Sequence, residues 1–248
     1  TASETHLSRS LGSTNQIAYL NLREYTTVSA DRIRDDYTSL ISAGSGGTGG
    51  VILDLRQNGG GSLSGAWNLT DFLGPSSVDN QITFSLKQQS QGFDYRFGVY
   101  GSNLGITDPS KFVILIDGSS ASASELTSAA LKDLGIATLM GGITYGKGVG
   151  QNVVGLLDGS GVYITSFELL SPLGNSWHNL GVSPDYPLST ALPATPADDT
   201  LLQAAIDFIE TGSVSQATTS RRTTKSPLLL SVPPYSHPWD GGRRQRLN

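Results

Sequence analysis

Apolar positions along this chain fall into two alternating patterns, short continuous runs and stretches of helical spacing. Ile17-Ala18-Tyr19-Leu20-Asn21-Leu22 reads as a first strand. Ser29 then caps a helix reaching about Ala43, with Ile33, Tyr37, Leu40 and Ile41 on one face. Val51-Ile52-Leu53-Asp54-Leu55 is the kind of run that forms a strand buried on both faces. A loop, Arg56 to Gly61, leads into a helix from Ser64 to Leu73 that turns Ala66, Leu69 and Leu73 inward. Weaker strands are predicted near Gln81–Lys87 and Tyr95–Tyr100.

The second half repeats the logic. Phe112–Ile116 is a buried strand, a Ser/Ala loop follows, and a helix runs from about Ser122 to Leu134. Ala137–Met140 is the next strand, Val149–Leu157 and Val162–Leu169 form a hairpin about Asp158-Gly159-Ser160-Gly161, and Asp198–Glu210 is a last amphipathic helix. Strands alternating with helices through short loops predict an α/β layered domain. The expected organisation is a flexible leader over 1–16, a body over 17–212 and a disordered tail over 213–248.

Composition sharpens this picture in three respects. The 248 residues suffice for a sizeable core, and the 30 glycines cluster where apolar runs end, as tight turns require. The net charge of −5 is unevenly spread, with 10 Lys/Arg against 20 Asp/Glu up to Gly212 and six cations against Asp240 alone beyond it. An acidic body argues against nucleic acid as partner. Cysteine is absent, so disulfides and thiolate metal sites are excluded, and no apolar stretch approaches the roughly 18 residues of a membrane span. The start, Thr1-Ala2-Ser3-Glu4, lacks both Met and a signal-peptide core, so either a leader has been removed or the chain is a fragment.

Three loops offer chemistry. Gly118-Ser119-Ser120-Ala121-Ser122-Ala123-Ser124-Glu125 sits where a buried strand gives way to a helix, so a hydroxyl there meets free amides that stabilise an oxyanion. Taken alone, these serines read more simply as helix caps. In Thr144-Tyr145-Gly146-Lys147-Gly148-Val149-Gly150-Gln151 a lysine stands among small residues after a strand. Buried, its pKa would fall from about 10.4, and it could accept a serine proton; exposed, it is an ordinary turn lysine. The glycines of Leu55-Arg56-Gln57-Asn58-Gly59-Gly60-Gly61 let backbone amides approach a ligand, or merely make a tight turn.

Together with Gly181-Val182-Ser183-Pro184-Asp185, these motifs resemble, in order and spacing, the C-terminal processing peptidases or tail-specific proteases, from about Ile17 to Leu188. The resemblance implies a ClpP/crotonase-like ββα superhelix with a small β-rich subregion. It implies Ser122 as nucleophile, Lys147, 25 positions later, as general base, and Gln151 as the residue orienting that base. The oxyanion hole falls to the amide of Ala123 and one of Gly60 and Gly61, with Gly60 favoured. It also implies a polypeptide substrate, no cofactor or metal, and a secreted, periplasmic or cell-envelope setting. Gly59 replaces the proline many relatives carry, which should loosen that loop. Many members also hold a PDZ-like module that docks substrate C-termini; about 16 residues precede Ile17 and the core accounts for the segments after it, so the hydrolytic chemistry is expected of this stretch but tail-specific recognition is not.

Three other readings compete. Gly141 to Lys147 fits a phosphate-binding G-x-x-x-x-G-K, but Gly148 replaces the Mg²⁺-holding hydroxyl and no helix is predicted to follow. A Ser–His–Asp triad would need His6, His178 or His237, and only His178, with Asp185 nearby in sequence, stands in the body. A non-catalytic binder of hydrophobic ligands or peptides on the same scaffold is the rival from another class; the joint presence of Ser122, Lys147 and Gln151 argues against it.

Overall fold

The computed structural model describes residues 6–43, 49–78, 81–88, 93–98, 106–190 and 198–214. Its main sheet has six strands in the order β1-β2-β3-β6-β7-β10. These are β1 (His6–Leu11), β2 (Ile17–Leu22), β3 (Gly50–Asp54), β6 (Phe112–Ile116), β7 (Thr138–Gly141) and β10 (Tyr186–Pro187). β1 is antiparallel to β2; every other pairing is parallel.

Period-two alternation on these strands feeds two apolar layers. Ala18, Leu20, Leu53, Ile114 and Ile116 pack under α1 (Ser29–Ser42), α2 (Leu63–Leu73) and α3 (Ala123–Asp133). Ile17, Tyr19, Ile52, Val113 and Leu115 face the other way, onto Leu201, Ala205 and Phe208 of α4 (Thr200–Thr211). Helices on both faces explain why β6, and β3 up to its closing Asp54, read as continuous apolar runs, since every residue of both is buried. This layered α/β architecture agrees with the expected fold class. A second, antiparallel sheet runs β5-β4-β9-β8, with β4 Ile82–Gln88, β5 Phe93–Gly98, β8 Val149–Gly155 and β9 Gly161–Leu170.

Several expectations need correction. The stretch 1–16 contains β1, whose Leu-Ser-Arg-Ser-Leu pattern is too polar to read as a core strand but suits the edge of a sheet. Ser29 is the first residue of α1 rather than its cap, Ile41 is exposed, and β10 had no counterpart in the pattern. Positions 99–100 of the expected fifth strand, and the tail beyond 214, lie outside the described residues. No helix among the described residues is long and apolar enough to cross a membrane.

Candidate active site

β3 and β6 are parallel neighbours, so the loops leaving their C-terminal ends emerge side by side. The first loop is anchored from below. Arg56 forks onto Asp54 (2.6 Å) and Asp199 (2.7 Å), all three nearly buried, and Asp54 also accepts from the Tyr19 hydroxyl (2.8 Å). Burial works against the Arg56 cation, but hydrogen bonds to Asp54 and Asp199 outweigh it and raise its pKa. Burial likewise pushes the Asp199 carboxyl up, yet the hydrogen bonds and charge of Arg56 and the Leu202 amide prevail and hold it below its usual range. The Tyr19 phenol is raised, by burial first and by Asp54 second. The Leu-Asp-Leu-Arg motif is thus an ion-pair anchor tying the loop to the N-cap of α4.

Asn58, fully buried, then stitches the two loops together. Its side chain donates to the Leu22 carbonyl (2.8 Å), and its own carbonyl accepts from the Ala121 amide (3.0 Å) and the Ser124 hydroxyl (2.9 Å). Gly60 lies against the Ser119–Ser122 loop so tightly that a Cβ would sit 2.6 Å from the Ala121 carbonyl oxygen and 2.9 Å from the Ala123 nitrogen. That approach, at φ 97°, admits glycine alone. The Gly60 amide, favoured by the sequence as an oxyanion donor, however donates to Asn58 Oδ1 (2.9 Å), so of the two glycines it is the one already engaged. Gly61 bridges Tyr25 in a parallel register whose bonds use the Gly60 carbonyl and the Ser62 amide. In such a ladder the amide of Gly61 itself points to the opposite side.

Ser122 is half-buried at the N-terminus of α3 with φ 57° and ψ −110°. A non-glycine residue there carries strain on the order of 1–3 kcal/mol and persists only when its surroundings hold it. The holding group is Glu125, fully buried one turn into the helix. Its Oε2 accepts from the amides of Ser122 (2.8 Å) and Lys147 (2.8 Å), and its Oε1 from the Gly146 amide (2.6 Å) and the Thr144 hydroxyl (2.6 Å). The backbone nitrogens of Ser122 and Lys147 therefore lie within twice 2.8 Å of each other. A second link, from the Tyr145 amide to the Ser120 carbonyl (3.0 Å), runs alongside.

The Gly181–Asp185 segment supports the lysine loop from behind. Val182 donates to Thr144 Oγ1 (2.6 Å), Thr144 donates to the Val182 carbonyl (3.2 Å), and Asp185 pairs with Lys132 (3.0 Å) and the Leu139 amide (2.9 Å). Asp185 is thus committed away from His178, whose Nδ1 is buried without a partner, and the alternative triad is not assembled. His237 lies outside the described residues, as does the side chain of His6. The phosphate-loop alternative fails because β8, not a helix, follows Lys147.

Lys147 itself is exposed, as is Gln151 on β8. Of the two alternatives for Lys147, the exposed one is found. The β8–β9 hairpin joins the first apolar layer only at its base, through Leu169 and the partly buried Phe167, while residues 151–165 are exposed and, among the described residues, no second layer packs over them. Glu125 and Thr144 were missed as site residues in the sequence reading. The signal for Glu125 was present: Ser122-x-x-Glu125 has the spacing of a capping box.

The model of the family described as Peptidase family S41 matches residues 16–188. The chain is 34% identical over 173 residues to a chloroplastic C-terminal processing peptidase of Tetradesmus obliquus, covering 70% of this chain and 35% of that protein. It is 33% identical over 205 residues to a carboxyl-terminal-processing protease of Synechocystis sp., covering 81% and 45%. Among solved structures it resembles the photosystem II D1 C-terminal processing protease with a TM-score of 0.64 and 28% identity, covering 82% of this chain and 52% of that one. A putative S41 protease of Bacteroides fragilis shares the fold at a TM-score of 0.66 and 21% identity, covering 84% and 57%. The chain thus spans between a third and a half of the length of these curated relatives, and by the match over 16–188 it belongs to peptidase family S41.

Proposed function

We propose that this chain is the catalytic core of a serine endopeptidase acting on polypeptides through a Ser122–Lys147 dyad. The observation that carries the reading is the buried Glu125 carboxylate, which holds the backbone of both residues on one oxygen atom. Family membership and relatives that are processing proteases support a polypeptide as substrate.

In this mechanism unprotonated Lys147 takes the Ser122 hydroxyl proton as Oγ bonds to the peptide carbonyl carbon. Ala123, whose amide is the first of α3 and has no intrahelical acceptor, and Gly61 donate to the resulting oxyanion. Lys147 passes its proton to the leaving amine, the C–N bond breaks, and an ester remains on Ser122. Water then attacks the ester, Lys147 removing its proton, and Ser122 is regenerated. Gln151, four residues after Lys147 on β8, orients the amine. Because Lys147 is exposed in the free chain, the bound polypeptide must itself exclude water from the amine.

The test is hydrolysis of a casein substrate by the wild-type chain, Ser122→Ala and Lys147→Ala. The expected outcome is loss of about 10³-fold or more in kcat for Ser122→Ala and at least about 10²-fold for Lys147→Ala. Hydrolysis surviving Ser122→Ala would overturn the mechanism.

A further inference from the structure

The amide of Gly61 and the hydroxyl of Ser122 must face one reacting carbonyl, yet they stand on different loops with no short covalent connection. Asn58 provides one link between those loops, at the floor of the site. A second link spans the rim and uses two residues to which no role has been given. Asp117, the first residue after β6, is 3% exposed. Its Oδ1 accepts from the amides of Ser119 (2.9 Å) and Ser120 (3.0 Å) on its own loop, and from the amide of Gln57 (3.1 Å), 60 residues away on the other. Its Oδ2 accepts from Gln57 Nε2 (2.6 Å) and shares the Gln57 amide (3.2 Å).

Gln57 adopts a left-handed φ of 59°, a conformation that costs a non-glycine residue free energy and needs a local reason. Here it accompanies an arrangement in which the backbone amide and the side-chain amide of one residue both meet the same carboxylate. Gln57 is nevertheless exposed, so its side chain adds little to the core. Its contacts span the gap between Asn58-Gly59-Gly60-Gly61 and Ser119-Ser120-Ala121-Ser122.

We propose that Asp117 and Gln57 form a clamp that sets the register of the oxyanion-hole loop against the nucleophile loop, making both positioning residues for acyl transfer. The inference rests on the Ser122–Lys147 reading. It accounts for a rim residue held in a strained conformation, which fold stability alone does not require.

The test is an exchange cycle in the full 248-residue chain, with kcat and KM measured on a peptide substrate and normalised to titrated active sites. Gln57→Glu sets two carboxylates against each other without touching the backbone donors. It should lower kcat per site by about tenfold or more, towards the roughly 10²-fold that a misplacement of about 1 Å brings. KM should stay within about twofold, and the thermal midpoint should move by less than about 3 °C, as expected of an exposed position. Asp117→Asn should remain within a few-fold of wild type, because the Gln57 amide can turn to present Oε1 to the new donor. The double variant Asp117→Asn/Gln57→Glu should restore kcat, since the Asn side chain then donates into the Glu carboxylate. A wild-type kcat in Gln57→Glu, or a loss that the double variant does not restore, overturns the clamp while leaving the dyad intact. Hydrolysis that survives Ser122→Ala overturns both.

Discussion

Replacing Glu125 by Gln probes the group on which the site is built. The carboxylate accepts four hydrogen bonds at 2.6–2.8 Å with no exposed surface. An amide in its place has one oxygen and one –NH₂, so whichever way it turns, two former donors face a donor. The better orientation keeps the oxygen towards the Ser122 and Lys147 amides and points –NH₂ at Thr144 and Gly146. The Thr144 hydroxyl can rotate to accept, whereas the Gly146 amide cannot. One buried amide is left unsatisfied, at about 1–3 kcal/mol, and the remaining bonds lose their charge assistance. Together these give an expected destabilisation of about 3 kcal/mol, read as a lowered midpoint in urea unfolding at unchanged m-value. Because the oxygen facing Ser122 and Lys147 is retained, kcat per folded molecule should fall far less than in Glu125→Ala, which frees both loops. A stability within about 0.5 kcal/mol of wild type, the range of an ordinary surface change, would refute the assignment of Glu125 as the buried link.

Other consequences follow from the anchors around the site. Arg56→Met leaves two nearly buried carboxylates unpaired and should cost about 3–5 kcal/mol in the same urea assay. The Asp199 carboxyl lies below its unfolded value, so its contribution is present above about pH 4 and is lost as pH falls through the folded pKa; that acid-side loss should be smaller in Arg56→Met. Asp133 has the opposite sign. Burial raises its carboxyl, against hydrogen bonds from Ser171 and Leu173, so the folded chain holds its proton longer and stability falls as pH rises from about 4 through the folded pKa. Asp133→Asn should remove that decline and be the more stable form at pH 7 in thermal unfolding. Gly181→Ala places a Cβ 2.3 Å from the Thr144 carbonyl oxygen at φ 74°, so it should displace the lysine loop and lower kcat more than it lowers the unfolding midpoint.

Much of this architecture was legible because burial on both faces leaves an unmistakable sequence trace: β6 is apolar throughout, β3 is apolar but for its closing Asp54, and Ile33 and Tyr37 on α1, like Ala66 and Leu69 on α2, keep helical spacing. What escaped shares a physical cause, namely dependence on what lies beside an element rather than within it. β1 is polar since it is an edge, and β10 is two residues held by Met140 and Gly141 of its neighbour. Whether Lys147 would be buried or exposed could not be read from the small residues around it; those glycines allow close approach to the His178 backbone and the Phe167 ring, and the lysine itself is exposed. The loops showed that donors were available near Ser122; only the structure shows that the Gly60 amide is already engaged by Asn58. Glu125 was overlooked because a glutamate on a helix usually faces water, and its capping-box spacing gave no hint that it also receives a second loop.

The most direct test of the Ser122–Lys147 account is the rate at which a fluorophosphonate reagent labels the chain, read by mass spectrometry of the digested protein. The account predicts one adduct, on the peptide containing Ser122, formed at least about 10²-fold more slowly in Lys147→Ala. An adduct on another residue, or an unchanged rate in Lys147→Ala, would contradict it.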